Sequence, residues 1–417
     1  MNRTSAGKRG GAVVDARGAA WLALERVACG KSERLAEVLD ACGLDARDSA
    51  LARELALGVA RNHRLYEHLA RSYLKPGRQA EELLRALALG AHQLFALDQI
   101  PPHAACATTV DLLHHHGARG LTGVANAVMR RMAELRLPER TCEGPLGRIP
   151  QERWPDDPAV LASLPDALVT DLANELSDHP RDRLLDLNRI APLCTRTRPG
   201  CAPPIGNGIL RQEGEWTWWE DPQVAIHGPV KDGRCTVQDR AQGHVIDLSG
   251  ARPGELVLDV CAAPGGKALA FLDRGCRVVA AELNARRVPR LQANLGGQAA
   301  IVVLDGNRPA LAAAAFDVVL VDAPCSNSGV LGRRPEARWR YNTKQLGQLA
   351  ALQKRLLLAA STLVRADGRL IYSTCSVTPG ENQGIAHRLD GWRILKELRS
   401  WPDAWQAGGY VAVLVRV

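Results

Sequence analysis

From residue 246 to residue 417, short apolar runs alternate with helical patterns, and this constrains the fold more than any other feature of the chain. The runs fall at 256–260, 277–281, 300–304, 318–321 and 369–372, each β-branched or leucine-rich, with the longest helical spacing over 346–364. Strands this short and this apolar need cover on both faces, and the intervening helices supply it. The alternation predicts an α/β fold of the Rossmann-like kind, a doubly wound parallel sheet. The run at 410–417 is expected to add an antiparallel strand at the edge.

Upstream the pattern changes. Alanine and leucine recur at helical spacing over 17–29, 32–39, 49–73, 79–96, 104–115 and 121–135. Gly30, Gly43, Pro76 and the pair Pro101-Pro102 stand where helices should break or begin. A small helical bundle over 1–140 follows. Residues 141–245 are proline-rich, with amphipathic stretches at 167–176 and 181–188 and short β-like pieces, which reads as a connecting α/β subdomain. Trp216, Trp218 and Trp219 in that segment are expected to pack rather than bind.

The 417 residues hold 53 basic and 45 acidic groups, a net charge of +8. Only eight of the basic residues are lysine. The helical segment alone holds 20 basic against 15 acidic residues, so +5 of the +8 lies there. Arginine forks match phosphate geometry, so the balance favours a polyanion such as RNA, although a GC-rich genome would give the same arginine bias. No apolar run is long enough to span a membrane, and residues 1–9 are polar and basic, unlike a secretory signal. Eleven cysteines lie singly with no CxxC pair, and no cysteine stands at metal-ligand spacing from His114-His115-His116. These features point to a reduced, cytoplasmic compartment with no metal.

The first strand leads straight into Cys261-Ala262-Ala263-Pro264-Gly265-Gly266-Lys267. A glycine-bearing turn there lets a ligand approach the backbone at a helix N-terminus. It is not a P-loop: Cys261 stands where the first glycine belongs, and Ala268 follows the lysine. The next three strands end near Glu282, Asp305 and Asp322. Acids at successive strand ends face the ligand crevice of an open α/β sheet, and the first is placed for ribose hydroxyls. A nucleoside without a phosphate chain is implied, and S-adenosylmethionine fits better than a dinucleotide. Cys325, in Asp322-Ala323-Pro324-Cys325-Ser326, and Cys375, in Thr374-Cys375-Ser376, follow strands that neighbour each other in such sheets. Their sulfurs are therefore expected to meet over one crevice.

On these motifs the chain resembles the RNA 5-methylcytosine methyltransferases, specifically their bacterial 16S ribosomal RNA methyltransferase B branch. The cofactor loop at 261–267, the motif at 322–326 and the motif at 374–376, with Pro379 and Glu381-Asn382 after it, all stand in order. Residues 1–140, including Ile100-Pro101-Pro102-His103-Ala104, look like the NusB-like RNA-binding domain of this branch, and Val237-Gln238-Asp239 also matches. Two positions depart: Glu282 stands where aspartate is common, and Asn327-Ser328 where Gly-Thr is common.

The resemblance implies an enzyme that methylates carbon 5 of a cytosine in 16S ribosomal RNA, using S-adenosylmethionine; a monomer is expected. The segment 246–417 would then be the methyltransferase domain. Carbon 5 is too electron-poor to take a methyl group until a thiolate adds to carbon 6. The resemblance makes Cys375 that nucleophile and gives Cys325 the release step; Lys267 helps favour the thiolate, and Asp322 holds the cytosine edge or the methionine end of the cofactor. Transfer RNA is the alternative substrate, and a non-catalytic RNA-binding factor the alternative class.

Overall fold

The computed structural model describes residues 15–176 and 178–417. The basic stretch 1–9 read above lies outside the described residues. The chain divides into two compact units, Met1–Leu164 and Pro165–Val417, so the proline-rich stretch 141–245 is shared between them.

The first unit is helical: α1 (Ala16–Ala28), α2 (Leu35–Asp40), α3 (Ala46–Arg71), α4 (Glu81–Ala96), α5 (Pro102–His115) and α6 (Thr122–Leu135). Pro101 caps α5 and Pro102 opens it, where a missing N–H costs nothing. The middle of α4 is buried on every side from Ala86 to Phe95, including His92 and Gln93. Such polar groups must be paired: Tyr66 Oη lies 2.9 Å from His92 Nδ1, and Gln93 accepts from Arg17 Nε at 2.8 Å.

The second unit begins with short helices and a four-stranded antiparallel sheet of β1 (Leu193–Thr197), β2 (Ile209–Glu213), β3 (Trp216–Trp219) and β4 (Cys235–Val237), in the order β2-β3-β1-β4. Trp216, Trp218 and Trp219 are all buried, and Trp219 Nε1 donates to Thr195 Oγ1 at 2.8 Å.

The main sheet has seven strands: β5 (Leu256–Asp259), β6 (Arg277–Glu282), β7 (Ala300–Val303), β8 (Phe316–Asp322), β9 (Val364–Thr374), β10 (Trp392–Ser400) and β11 (Gly409–Arg416). Their order is β10-β11-β9-β8-β5-β6-β7. The pairs β5/β6, β6/β7, β5/β8 and β8/β9 are parallel. The last strand is antiparallel as expected, but it pairs with both β9 and β10, so it is not the edge. The edge is β10, unforeseen because Arg393, Lys396, Glu397 and Arg399 break its apolar pattern. Charges of this kind protect an exposed edge from pairing with another chain.

Side chains alternate across β8. Val319 and Val321 face one core with Leu356, Leu357 and Ala360 of the helix Thr343–Ser361, while Val318 and Leu320 face another with Phe271, Leu291 and Ile246. The chain runs outward one way through β5, β6 and β7 and the other way through β8 and β9. Strand order thus reverses between β5 and β8, where the open α/β sheet has its ligand crevice. No helix among the described residues is long and apolar enough to cross a membrane.

Candidate active site

Three carboxylates gather at the crevice. Asp259 ends β5 and is 1% exposed, and its Oδ1 has no hydrogen-bond partner among the described residues. Burial, followed by the neighbouring Asp322, pushes its carboxyl up to about 7. Glu282 ends β6, buried, with Oε1 accepting from the Asn284 N–H at 2.9 Å. Asp322 ends β8 and is fully engaged: Lys267 Nζ donates to Oδ2 at 2.6 Å and Ser373 Oγ to Oδ1 at 2.7 Å. Gln242 Oε1 also accepts from Lys267 Nζ. Asp305, two residues past β7, is exposed and folded onto its own loop, accepting from both the N–H and the Nδ2 of Asn307 at 2.9 Å.

The glycine turn runs through this cluster. Ala262 N donates to Ala281 O at 2.9 Å, tying the turn to β6, and Asn294 Nδ2 donates to Pro264 O at 2.7 Å. The peptide between Ala263 and Pro264 is cis. Gly265 has φ 110° and a Cβ there would stand 3.0 Å from Leu291, so this position requires glycine. It leads into the helix Gly266–Asp273. Cys261 is partly exposed, and burial in company with Asp259 raises its thiol. Cys261, Ala262, Ala263, Pro264, Gly265, Gly266 and Lys267 thus run from β5 into that helix, with Cys261 near Asp259 and Lys267 on Asp322. With one lysine against three acids, the site suits a ligand bearing positive charge.

The two candidate cysteines meet. Cys325 Sγ lies 3.2 Å from Cys375 Sγ, and both are partly exposed. Adjacent parallel strands bring them there, since Asp322 of β8 sits in register with Ser373 of β9. Hydrogen bonding from Cys325 lowers the Cys375 thiol against burial, aided by the Arg334 guanidinium, while the same contact, burial and the Glu381 carboxylate raise Cys325. Of the two thiols, Cys375 is thus the one that ionises more readily. Lys267 was the cation expected to favour that thiolate. Its charge is matched by Asp322 at 2.6 Å, and the larger attraction on Cys375 comes from Arg334.

Several residues that the spacing left unassigned hold the pair in place. Glu381 is 2% exposed and accepts from Ser326 N at 2.8 Å, Ser376 Oγ at 2.7 Å, Gln353 Nε2 at 3.0 Å and Thr378 Oγ1 at 3.1 Å. Ser326 and Ser376 follow Cys325 and Cys375, so one buried carboxylate pins both cysteine loops. Asn382 secures the second loop, accepting from Thr374 Oγ1 at 2.7 Å and donating to Ser376 O at 3.0 Å. Gly329 N donates to Cys375 O at 2.9 Å, a packing so close that a Cβ at 329 would meet that oxygen at 2.8 Å. The motif positions of Glu381 and Asn382 were visible in the sequence, but only folding shows what they touch. Asn327 and Arg334 carried no signal beyond the departure at 327.

Residues 248–396 match the family model described as 16S rRNA methyltransferase RsmB/F, and residues 14–134 match the NusB family. Ribosomal RNA small subunit methyltransferase B of Xanthomonas campestris pv. campestris is 31% identical over 363 residues, covering 81% of this chain and 78% of that protein. The protein of the same name from Pseudomonas syringae pv. tomato is 32% identical over 373 residues, covering 82% and 79%. Among solved structures, that of PH0851 aligns with a TM-score of 0.70 at 20% identity, over 95% of this chain and 98% of its own.

Proposed function

The chain belongs to the 16S rRNA methyltransferase RsmB/F family, and from that premise we propose that it methylates carbon 5 of a cytosine in 16S ribosomal RNA through a covalent cysteine adduct. The observation that carries this reading is the 3.2 Å approach of Cys325 and Cys375 beside an acidic crevice. A methyl transfer to oxygen or nitrogen needs no thiol, whereas carbon 5 of cytosine needs one.

In this reading Cys375 Sγ adds to carbon 6, and the electrons gained by the ring make carbon 5 nucleophilic. Asp259, Glu282, Asp305, Asp322 and the backbone of 261–266 would hold S-adenosylmethionine, whose chemistry when bound would be to offer carbon 5 an electrophilic methyl group. The fit rests on charge and pairing: the unpartnered buried oxygen of Asp259 awaits a donor, and three acids with one lysine favour a ligand that carries an ammonium and a sulfonium. The carbon 5 proton then passes to a base in the crevice, the carbon–sulfur bond opens, and the sulfur leaves as thiolate. Cys325, at 3.2 Å from that sulfur, serves this release. Asp322, fixed by Lys267 and Ser373, orients the cytosine edge or the methionine end of the cofactor. The target base must leave its stack, at a cost of a few kcal/mol unless the RNA is already looped.

The three-part division belongs to the same reading, with a NusB-like RNA-binding domain over 1–140, a connector over 141–245 and the methyltransferase domain over 246–417. The test compares two variants on 16S ribosomal RNA. Cys325→Ala is expected to leave protein attached to RNA on a denaturing gel, and Cys375→Ala to lose both adduct and product. The opposite pattern, or methyl acceptance by transfer RNA alone, contradicts the proposal.

A further inference from the structure

The side chain of Asn327 stands between both cysteines and a cation. Its backbone is left-handed, φ 62°, a conformation asparagine tolerates better than most residues. Its Nδ2 donates to Cys325 O at 3.0 Å, and its Oδ1 accepts from Arg334 Nη1 at 3.1 Å. The same Oδ1 lies 3.4 Å from Cys375 Sγ. The first two bonds settle which end of the amide faces which partner, because a flipped amide would set N–H groups against a guanidinium and one carbonyl against another. Cys375 therefore faces a carbonyl oxygen, which accepts a thiol S–H but repels a thiolate. Beyond that oxygen stands the guanidinium, which acts the other way.

We propose that Asn327 and Arg334 are an opposed pair of positioning residues for Cys375, the amide oxygen holding its resting thiol protonated and aimed, the guanidinium favouring the thiolate once that oxygen is displaced. Displacement by an entering pyrimidine ring breaks the S–H···O contact, the proton passes to water, and the sulfur is left with the positive charge of Arg334. The resting nucleophile is thereby shielded from stray electrophiles until a base is in place. The catalytic meaning rests on Cys375 being the attacking thiol, but the effect of the pair on that thiol is measurable without any methyl transfer.

The experiment is carbamidomethylation of the full-length chain by iodoacetamide across about pH 6 to 10, with the rate at Cys375 read by peptide mass spectrometry. Glycine accepts φ 62° without strain. Asn327→Gly is expected to move the Cys375 curve to lower pH and speed alkylation at pH 7 by about threefold, the change that half a pKa unit produces. Asn327→Asp, adding a negative charge at the same place, should move it to higher pH. Arg334→Gln should also move it to higher pH, slowing alkylation at pH 7 by about threefold, with Arg334→Lys restoring part of the loss. The inference is overturned if Asn327→Gly and Asn327→Asp shift the curve in the same direction. It is equally overturned if Asn327→Gly speeds alkylation at every pH without moving the midpoint, which is what mere loosening would do. Failure of Cys375 to form an RNA adduct would instead sink the mechanism above while leaving these curves readable.

Discussion

Eleven thiols share this chain, and their surroundings separate them. Burial raises Cys194 to about 12 and also raises Cys276, so both behave as small apolar fillers. Cys375 alone is pushed down, because it has a second sulfur at 3.2 Å and an arginine nearby. The flanking motifs made this pair legible in the sequence. What Asp259 does was not legible, since an aspartate ending a strand reads as an ordinary end residue until its burial is seen. Its carboxyl titrates near 7, above the usual 3.8, so the folded state is favoured where the group is protonated and loses that advantage as pH rises from about 4 through about 7. Asp259→Asn is therefore expected to raise the melting temperature of the ligand-free protein more at pH 8 than at pH 5, with a stabilisation on the order of 3 kcal/mol at the upper end. Cofactor binding, measured by calorimetry, should fall at least about tenfold in the same variant, a loss of about 1.4 kcal/mol. A melting gain that is equal at both pH values would contradict this account of Asp259.

Elements bring these residues together. Parallel pairing of β8 with β9 sets Asp322 beside Ser373; Cys325 stands three residues past β8, and Cys375 directly follows β9. Alternating apolar runs made the parallel strands legible in advance. The edge strand β10 was not, because its charged residues erase the apolar signal that a buried strand carries. The knot at Glu381 was equally hidden, since hydrogen-bond partners 28 to 55 residues away leave no local trace. Removing that carboxylate takes the acceptor from five donors in a buried place. Glu381→Ala is expected to cost about 3 kcal/mol of stability, measured by denaturant unfolding of this unit. Glu381→Gln keeps the shape but turns one acceptor into a donor; kcat should fall about tenfold or more with little change in KM for RNA. A Glu381→Gln enzyme with full kcat would show that the loops need no such clasp.

At the scale of the whole molecule, a helical unit and an α/β unit are encoded by different periodicities, 3.6 residues in one and short apolar alternation in the other. That contrast is why the fold class could be read before any coordinates. The boundary between units was harder to read, because the proline-rich stretch contributes residues to both. The first 140 residues hold +5 of the net +8. Phosphate contacts release counterions, so binding of the full-length protein to 16S ribosomal RNA should weaken at least about tenfold between 50 and 200 mM salt. A flat salt profile would remove phosphate recognition from the account. The covalent adduct through Cys375 can be located by a single measurement. The Cys325→Ala protein is incubated with S-adenosylmethionine and 16S ribosomal RNA, digested with nuclease and protease, and the carbon–sulfur bond located by mass spectrometry. A 5-methylcytosine nucleotide is expected on the peptide that carries Cys375; a modified cytosine with no peptide attached, or one attached through any other cysteine, would contradict the covalent mechanism.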